Sequence, residues 1–90
     1  MAQPSARLTA TTQVTTTPVV VVGLLLIGGT SGTTEYDLRD GTSDTSPLVG
    51  GAKIAVNTTV YVPFPDVSVS NLRVVAVGSP AGASATVYYR

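Results

Sequence analysis

The sequence predicts an all-β fold: an antiparallel β-sandwich or jelly-roll-like domain of about six to eight short strands, with no substantial helix. Three observations predict it. Apolar residues do not repeat at the three-and-four spacing of an amphipathic helix, whereas β-branched runs recur along the chain. Gly-, Pro- and Asp-rich punctuation falls between those runs at hairpin intervals. No helix-length insertion separates successive runs, and a parallel sheet would need one for each crossover.

The elements follow in order. Residues 1–17 are polar and Thr-rich, and Arg7 to Thr17 alternates weakly. That segment is an N-terminal arm or an edge strand, ahead of a single sandwich domain over 18–90. Val19 to Ile27 is a continuous apolar run with Gly23 inside it, the pattern of a central strand carrying a bulge or a close backbone approach. Thr34 to Arg39 alternates cleanly, with Thr34, Tyr36 and Leu38 on one face and Glu35, Asp37 and Arg39 on the other. The loop after Asp40-Gly41 is expected to run through Pro47, Gly50 and Gly51 to a short strand over Lys53–Val56. Thr58 to Phe64 places Val60, Val62 and Phe64 on one side, and the prolines of Pro63-Phe64-Pro65 put it on an edge or at a strand end. Leu72–Val77 and Ala83–Tyr89, joined through Gly78-Ser79-Pro80-Ala81-Gly82, complete the set as a hairpin.

Composition limits the chemistry. There is no Cys, so disulfides, thiolate catalysis and Cys-based zinc sites are excluded. There is no His, the commonest general base and metal ligand. Charged residues are 11% of the chain and cancel to zero net charge, while 43% of residues are hydrophobic. Low charge with that apolar content is not the signature of disorder. The basic residues Arg7, Arg39, Lys53, Arg73 and Arg90 are scattered, which argues against a nucleic-acid partner because phosphate binding needs a basic patch. The apolar run at Val19–Ile27 is about half of the ~20 residues that span a bilayer and comes late for a secretory signal. No membrane partner and no signal-directed export are expected.

No catalytic, cofactor or metal site emerges. Asp37 to Asp44 superficially suggests a calcium loop, but it lacks the bidentate Glu and the alternate ligand spacing of an EF-hand. It reads instead as a strand end followed by an Asp-Gly turn. Glu35 and Asp37 share a predicted solvent face, unlike a carboxylate raised in pKa by an apolar pocket. Ser and Thr are abundant, but a hydroxyl nucleophile needs a base, and only Lys53 or a carboxylate could serve. Neither G-x-S-x-G nor a phosphate-binding Gly-Lys-Ser/Thr motif occurs. The expectation is no enzyme activity and no cofactor.

Aromatic residues are the better clue. Tyr36, Tyr61, Tyr88, Tyr89 and Phe64 all fall in strands, and adjacent Tyr88 and Tyr89 must point to opposite faces. Exposed Tyr on a sheet marks an interface or a stacking surface for sugars, and buried Tyr would be plain core. Leu8 and Val14, spaced by Thr and Gln, could let the first segment add a strand to a neighbour's sheet. These seven residues form the candidate interface. Burial and chain entropy nearly cancel for a chain this short, so neighbouring copies or a larger assembly are expected to supply stability.

The whole pattern resembles small structural proteins of tailed-bacteriophage particles: the Thr-rich start, the apolar "VVGLLLIGG" strand, the "EYDLRDG" strand and the late "LRVVAVGSPAGASATVYYR" hairpin, with the likeness carried over Val19–Arg90. The resemblance implies a β-sandwich or jelly roll of the capsid decoration (cement) type. It implies a homotrimer or neighbouring copies held on the major capsid protein at the capsid surface of a virion. Such a chain would be made in the host bacterial cytoplasm and would carry no catalytic residues or cofactor. A tail or fibre component that binds host-surface glycan through Tyr is the second expectation.

Overall fold

The structure is a computed structural model that describes residues 2–90. The elements are β1 (Gln3–Pro4), β2 (Thr12–Gln13), β3 (Val19–Ile27), β4 (Thr34–Asp40), β5 (Leu48–Ile54), β6 (Thr59–Val69), β7 (Leu72–Gly78) and β8 (Ser84–Tyr89). They form two four-stranded antiparallel sheets, one ordered β1-β8-β3-β6 and the other β2-β7-β4-β5. Strands β1 to β4 run out and β5 to β8 run back beside them, pairing β1 with β8, β2 with β7, β3 with β6 and β4 with β5. That long ribbon is then rolled so that β3 also meets β8 and β4 meets β7. This strand order is that of a jelly roll, the double-sheet architecture built from two Greek keys.

The core lies between the sheets. Val21, Leu24, Leu26 and Val87 from the first sheet meet Tyr36, Leu38, Leu72 and Val74 from the second, all fully buried, with Leu8, Ile54, Val69 and Ala85 around them. Strand β3 shows how the sequence sets this. Strict alternation from Val21 would point Gly23 and Leu25 inward. Instead the register shifts between Val21 and Gly23, so that Val21 faces Tyr89 while Gly23 faces Tyr88. The extra residue, Val22, is a β-bulge that resets the phase and turns Leu24 and Leu26 into the core.

Strand β6 is an edge, as its prolines require. It does not stop at Pro65: Asp66 takes a left-handed φ of 51°, the strand bulges there, and pairing resumes at Val67 opposite Val21. Strand β5 differs from the sequence expectation. It begins at Leu48 and includes Gly50 and Gly51, which the sequence reading placed in a loop before a strand at Lys53–Val56. The glycines serve close approach and not a turn. A Cβ on Gly50 would fall 2.7 Å from the Phe64 ring, and one on Gly51 would meet the backbone of Tyr36 and Asp37.

The first segment belongs to the roll itself. β1 and β2 are two residues each and lie at the edges of different sheets, while Leu8 between them bridges to Ala85 and is 8% exposed. Its hydroxyl-rich composition has a structural use. Ser5 Oγ accepts from Val87 N–H at 3.1 Å, Thr11 Oγ1 from Ala76 N–H at 3.0 Å, and Thr15 Oγ1 from Leu72 N–H at 3.1 Å. Side-chain oxygens thus satisfy edge donors of β7 and β8 where the short strands supply no main-chain partner.

Candidate interaction surface

The two outward faces of the sandwich differ in kind. On the β2-β7-β4-β5 sheet, Glu35 lies opposite Lys53 and Arg39 opposite Arg73. Arg39 also contacts Asp37 at 3.5 Å, and Arg73 reaches Asp44. This face is charged and solvated. Val75 and Val77 interrupt it near one edge, and Val77 is 54% exposed.

The outer face of the β1-β8-β3-β6 sheet is apolar at its centre. Val20, Val22, Leu25 and Ile27 of β3 are half-buried yet stand outside the core cluster. Leu25 lies in register between Tyr61 of β6 and Thr86 of β8, and Gly23 between Pro63 and Tyr88. Gly23 is buried because Tyr61 covers it: a Cβ built there would fall 2.8 Å from Tyr61 Cε1 and closer still to the phenol oxygen end of the ring. The Tyr61 ring therefore reaches across β3, and Tyr61 remains 51% exposed. Tyr88 meets it edge to face, with centroids 5.9 Å apart and planes at 65°.

One charged pair closes an end of this face. Arg90 lies beside Val20, and its guanidinium grips Asp66 at the β6 bulge through two contacts of 3.1 Å. The hydrogen bond and positive charge of Arg90 hold the Asp66 carboxyl below its ordinary range, and Asp66 holds Arg90 above its own.

The seven residues singled out from sequence separate into three groups. Tyr61 and Tyr88 form the aromatic pair of the outer face, Tyr61 exposed and Tyr88 half-buried. Tyr36 is fully buried, and its hydroxyl joins Leu8 O at 3.3 Å and Ser79 Oγ, so it ties the first segment to β4 and faces no partner surface. Leu8 is likewise buried, and it bridges to Ala85 of the same chain. Val14 and Phe64 pack against the core from its margin. Tyr89 does the same on the inner side of β8 and borders an open cleft of about 180 Å³ with Ser5, Ala6, Leu8, Thr12, Gln13 and Val14.

Sequence reasoning missed Leu25, Ile27, Val20 and Val22 as surface residues. Their signal was present: a strand apolar at both parities is apolar on both faces.

The four aspartates are engaged: Asp37 with Arg39, Asp44 with Arg73, Asp66 with Arg90, and Asp40 with the backbone. Asp40 Oδ1 accepts from Ser70 N–H at 2.9 Å and Asn71 N–H at 3.1 Å, which pins the β6–β7 turn. Among the described residues, no three acidic side chains converge as a metal site would need.

Comparison with protein-family profiles, with curated sequences and with solved structures returns no match.

Proposed function

We propose that the chain is a non-enzymatic structural protein of a virus particle, a decoration (cement) module that binds the capsid shell and stabilises it. The observation that carries this reading is the mismatch on β3. Both faces of the strand are apolar, and the chain itself covers only one of them. A soluble sandwich ordinarily alternates apolar inside with polar outside, and the other sheet comes nearer to that, with Glu35, Asp37, Arg39, Lys53 and Arg73 outward beside Leu48, Val75 and Val77. An apolar face centred on Leu25, with Tyr61 and Tyr88 as aromatic anchors and polar Thr59 and Thr86 at its rim, fits a protein partner. The partners are the major capsid protein and copies of this chain, a homotrimer being the arrangement the resemblance implies. Zero net charge and the jelly roll, an architecture used by viral capsid proteins, agree with it. The molecule would be made in the host bacterial cytoplasm and reside on the virion surface.

Mixing the purified chain with undecorated capsids tests the proposal. Binding that raises the particle melting temperature, and that weakens at least about tenfold (~1.4 kcal/mol) for Tyr61→Ala, supports it. No binding to particles refutes it.

A second reading is favoured by the exposed Tyr61 ring, whose outer side is open to a sugar ring. The chain would then be a tail or fibre component that binds host glycan. A glycan array read with the native chain and Tyr61→Ala distinguishes the two.

A further inference from the structure

We infer that the first two strands are exchangeable between copies: residues 2–15 of one chain complete the sheets of a second. The acceptor for that segment is visible in this chain. β7 and β8 offer the edges that β2 and β1 occupy, and Ala85 offers the bridge to Leu8. Tyr36 Oη and Ser79 Oγ donate to the Leu8 and Thr9 carbonyls, and Arg73 donates to Gln13 Oε1 at 3.0 Å. Every one of these contacts is between segments far apart in sequence, so each forms equally well between two chains.

The latch is polar. β1 and β2 supply two residues of ladder each, and Leu8 is the one buried apolar side chain of the segment. The remaining hold is hydrogen bonding: main-chain bonds from Ser5, Leu8, Val14 and Thr15 to β7 and β8, and the hydroxyls of Ser5, Thr11 and Thr15.

The hinge permits the exchange. Thr16, Thr17 and Pro18 are exposed, and they join β2 in one sheet to β3 in the other without a reversing turn. Pro18 biases Thr17 toward extended conformations, and three successive Thr are stiff at χ1. Thr16 and Thr17 form a bend, closed by Thr15 Oγ1 donating to the Thr17 carbonyl at 3.0 Å, and opening that one bend directs the segment outward. Release leaves the edges of both sheets bare, and a second copy's identical segment is complementary to both. High local concentration, as on a shell lattice, favours exchange, but the inference does not need that reading.

The chain has no cysteine, so engineered pairs report cleanly. Gln13 and Arg73 are opposite in register. Copies carrying Gln13→Cys are mixed with copies carrying Arg73→Cys, held in mild urea, returned to buffer and oxidised. The expected product is a covalent heterodimer, in several-fold excess over that from Gln13→Cys with Lys53→Cys on the opposite edge. Heterodimer no more abundant than in that control overturns the inference. A second measurement does not need the ion pair of Arg73. Light scattering over a dilution series should show dimer or larger species in the unaltered chain. Inserting four glycines after Thr16 should shift them several-fold toward monomer, because a long flexible hinge lets each segment close on its own body. A single-chain mass at every concentration, or indifference to the insertion, also overturns it. Leu25→Asp separates the two proposals: it abolishes docking through the sheet face and leaves exchange intact.

Discussion

Truncating Leu24, Leu25 and Leu26 one at a time to alanine tests both the bulge and the open face. Leu24 and Leu26 are completely buried in the core, whereas Leu25 points away from it between Tyr61 and Thr86. Burial of that kind makes Leu24→Ala or Leu26→Ala cost about 2–5 kcal/mol, the lost transfer energy plus a cavity. A small domain changes its melting temperature by about 4–8 °C per kcal/mol, so these variants should fall by roughly 8–40 °C. The upper end is enough to unfold a chain whose margin is a few kcal/mol. Leu25→Ala removes a side chain that no second layer covers and should cost below about 1 kcal/mol, a shift of a few degrees. Thermal and urea unfolding followed by circular dichroism read all three. The expected pattern along the strand is severe, mild, severe. If Leu25→Ala is as damaging as its neighbours, the phase assigned by the Val22 bulge is wrong, and the apolar outer face goes with it.

Three further outcomes are expected. Asp40→Ala strands two turn N–H donors and should cost about 1–3 kcal/mol in urea unfolding, with an unchanged m-value. Thr15→Val keeps the shape but removes the acceptor for Leu72 N–H, and it should cost about 1 kcal/mol while Thr16→Val, exposed at the hinge, is neutral. Asp66 should titrate below an ordinary aspartate by NMR and return to the ordinary range in Arg90→Ala. Because the folded-state pKa is the lowered one, the pair's contribution is present above the usual carboxylate range and is lost as pH falls through the folded value. The pair is exposed, so added salt should shrink the shift.

Much of the fold was legible in the residues, for identifiable reasons. Thr34 to Arg39 alternates in sequence and in the structure because one side of β4 is core and the other is water. The prolines of β6 marked an edge because a central strand cannot lose those donors. Gly50 and Gly51 misled, since a glycine required by the Phe64 ring looks in sequence like one required by a turn. Tyr36 and Tyr61 were indistinguishable as letters. Their separation into core and surface is fixed by which strands meet across the sandwich, and that is long-range information. The surface pair Tyr61–Tyr88 depends on a register between β6, β3 and β8 that no local pattern encodes.

The place of β8 has a consequence for synthesis. It is inserted between β1 and β3, so the sheet that holds the most greasy strand cannot close until the last strand leaves the ribosome. At ~5–20 residues per second, the stretch from Ile27 to Tyr89 takes roughly 3–12 s to appear. Until Val69 has appeared, Val19–Ile27 has neither of its final neighbours, and until Tyr89 it has only β6. A nascent chain of this design is most prone to aggregate while it is being made, and slowing translation after β3 should lower its soluble yield.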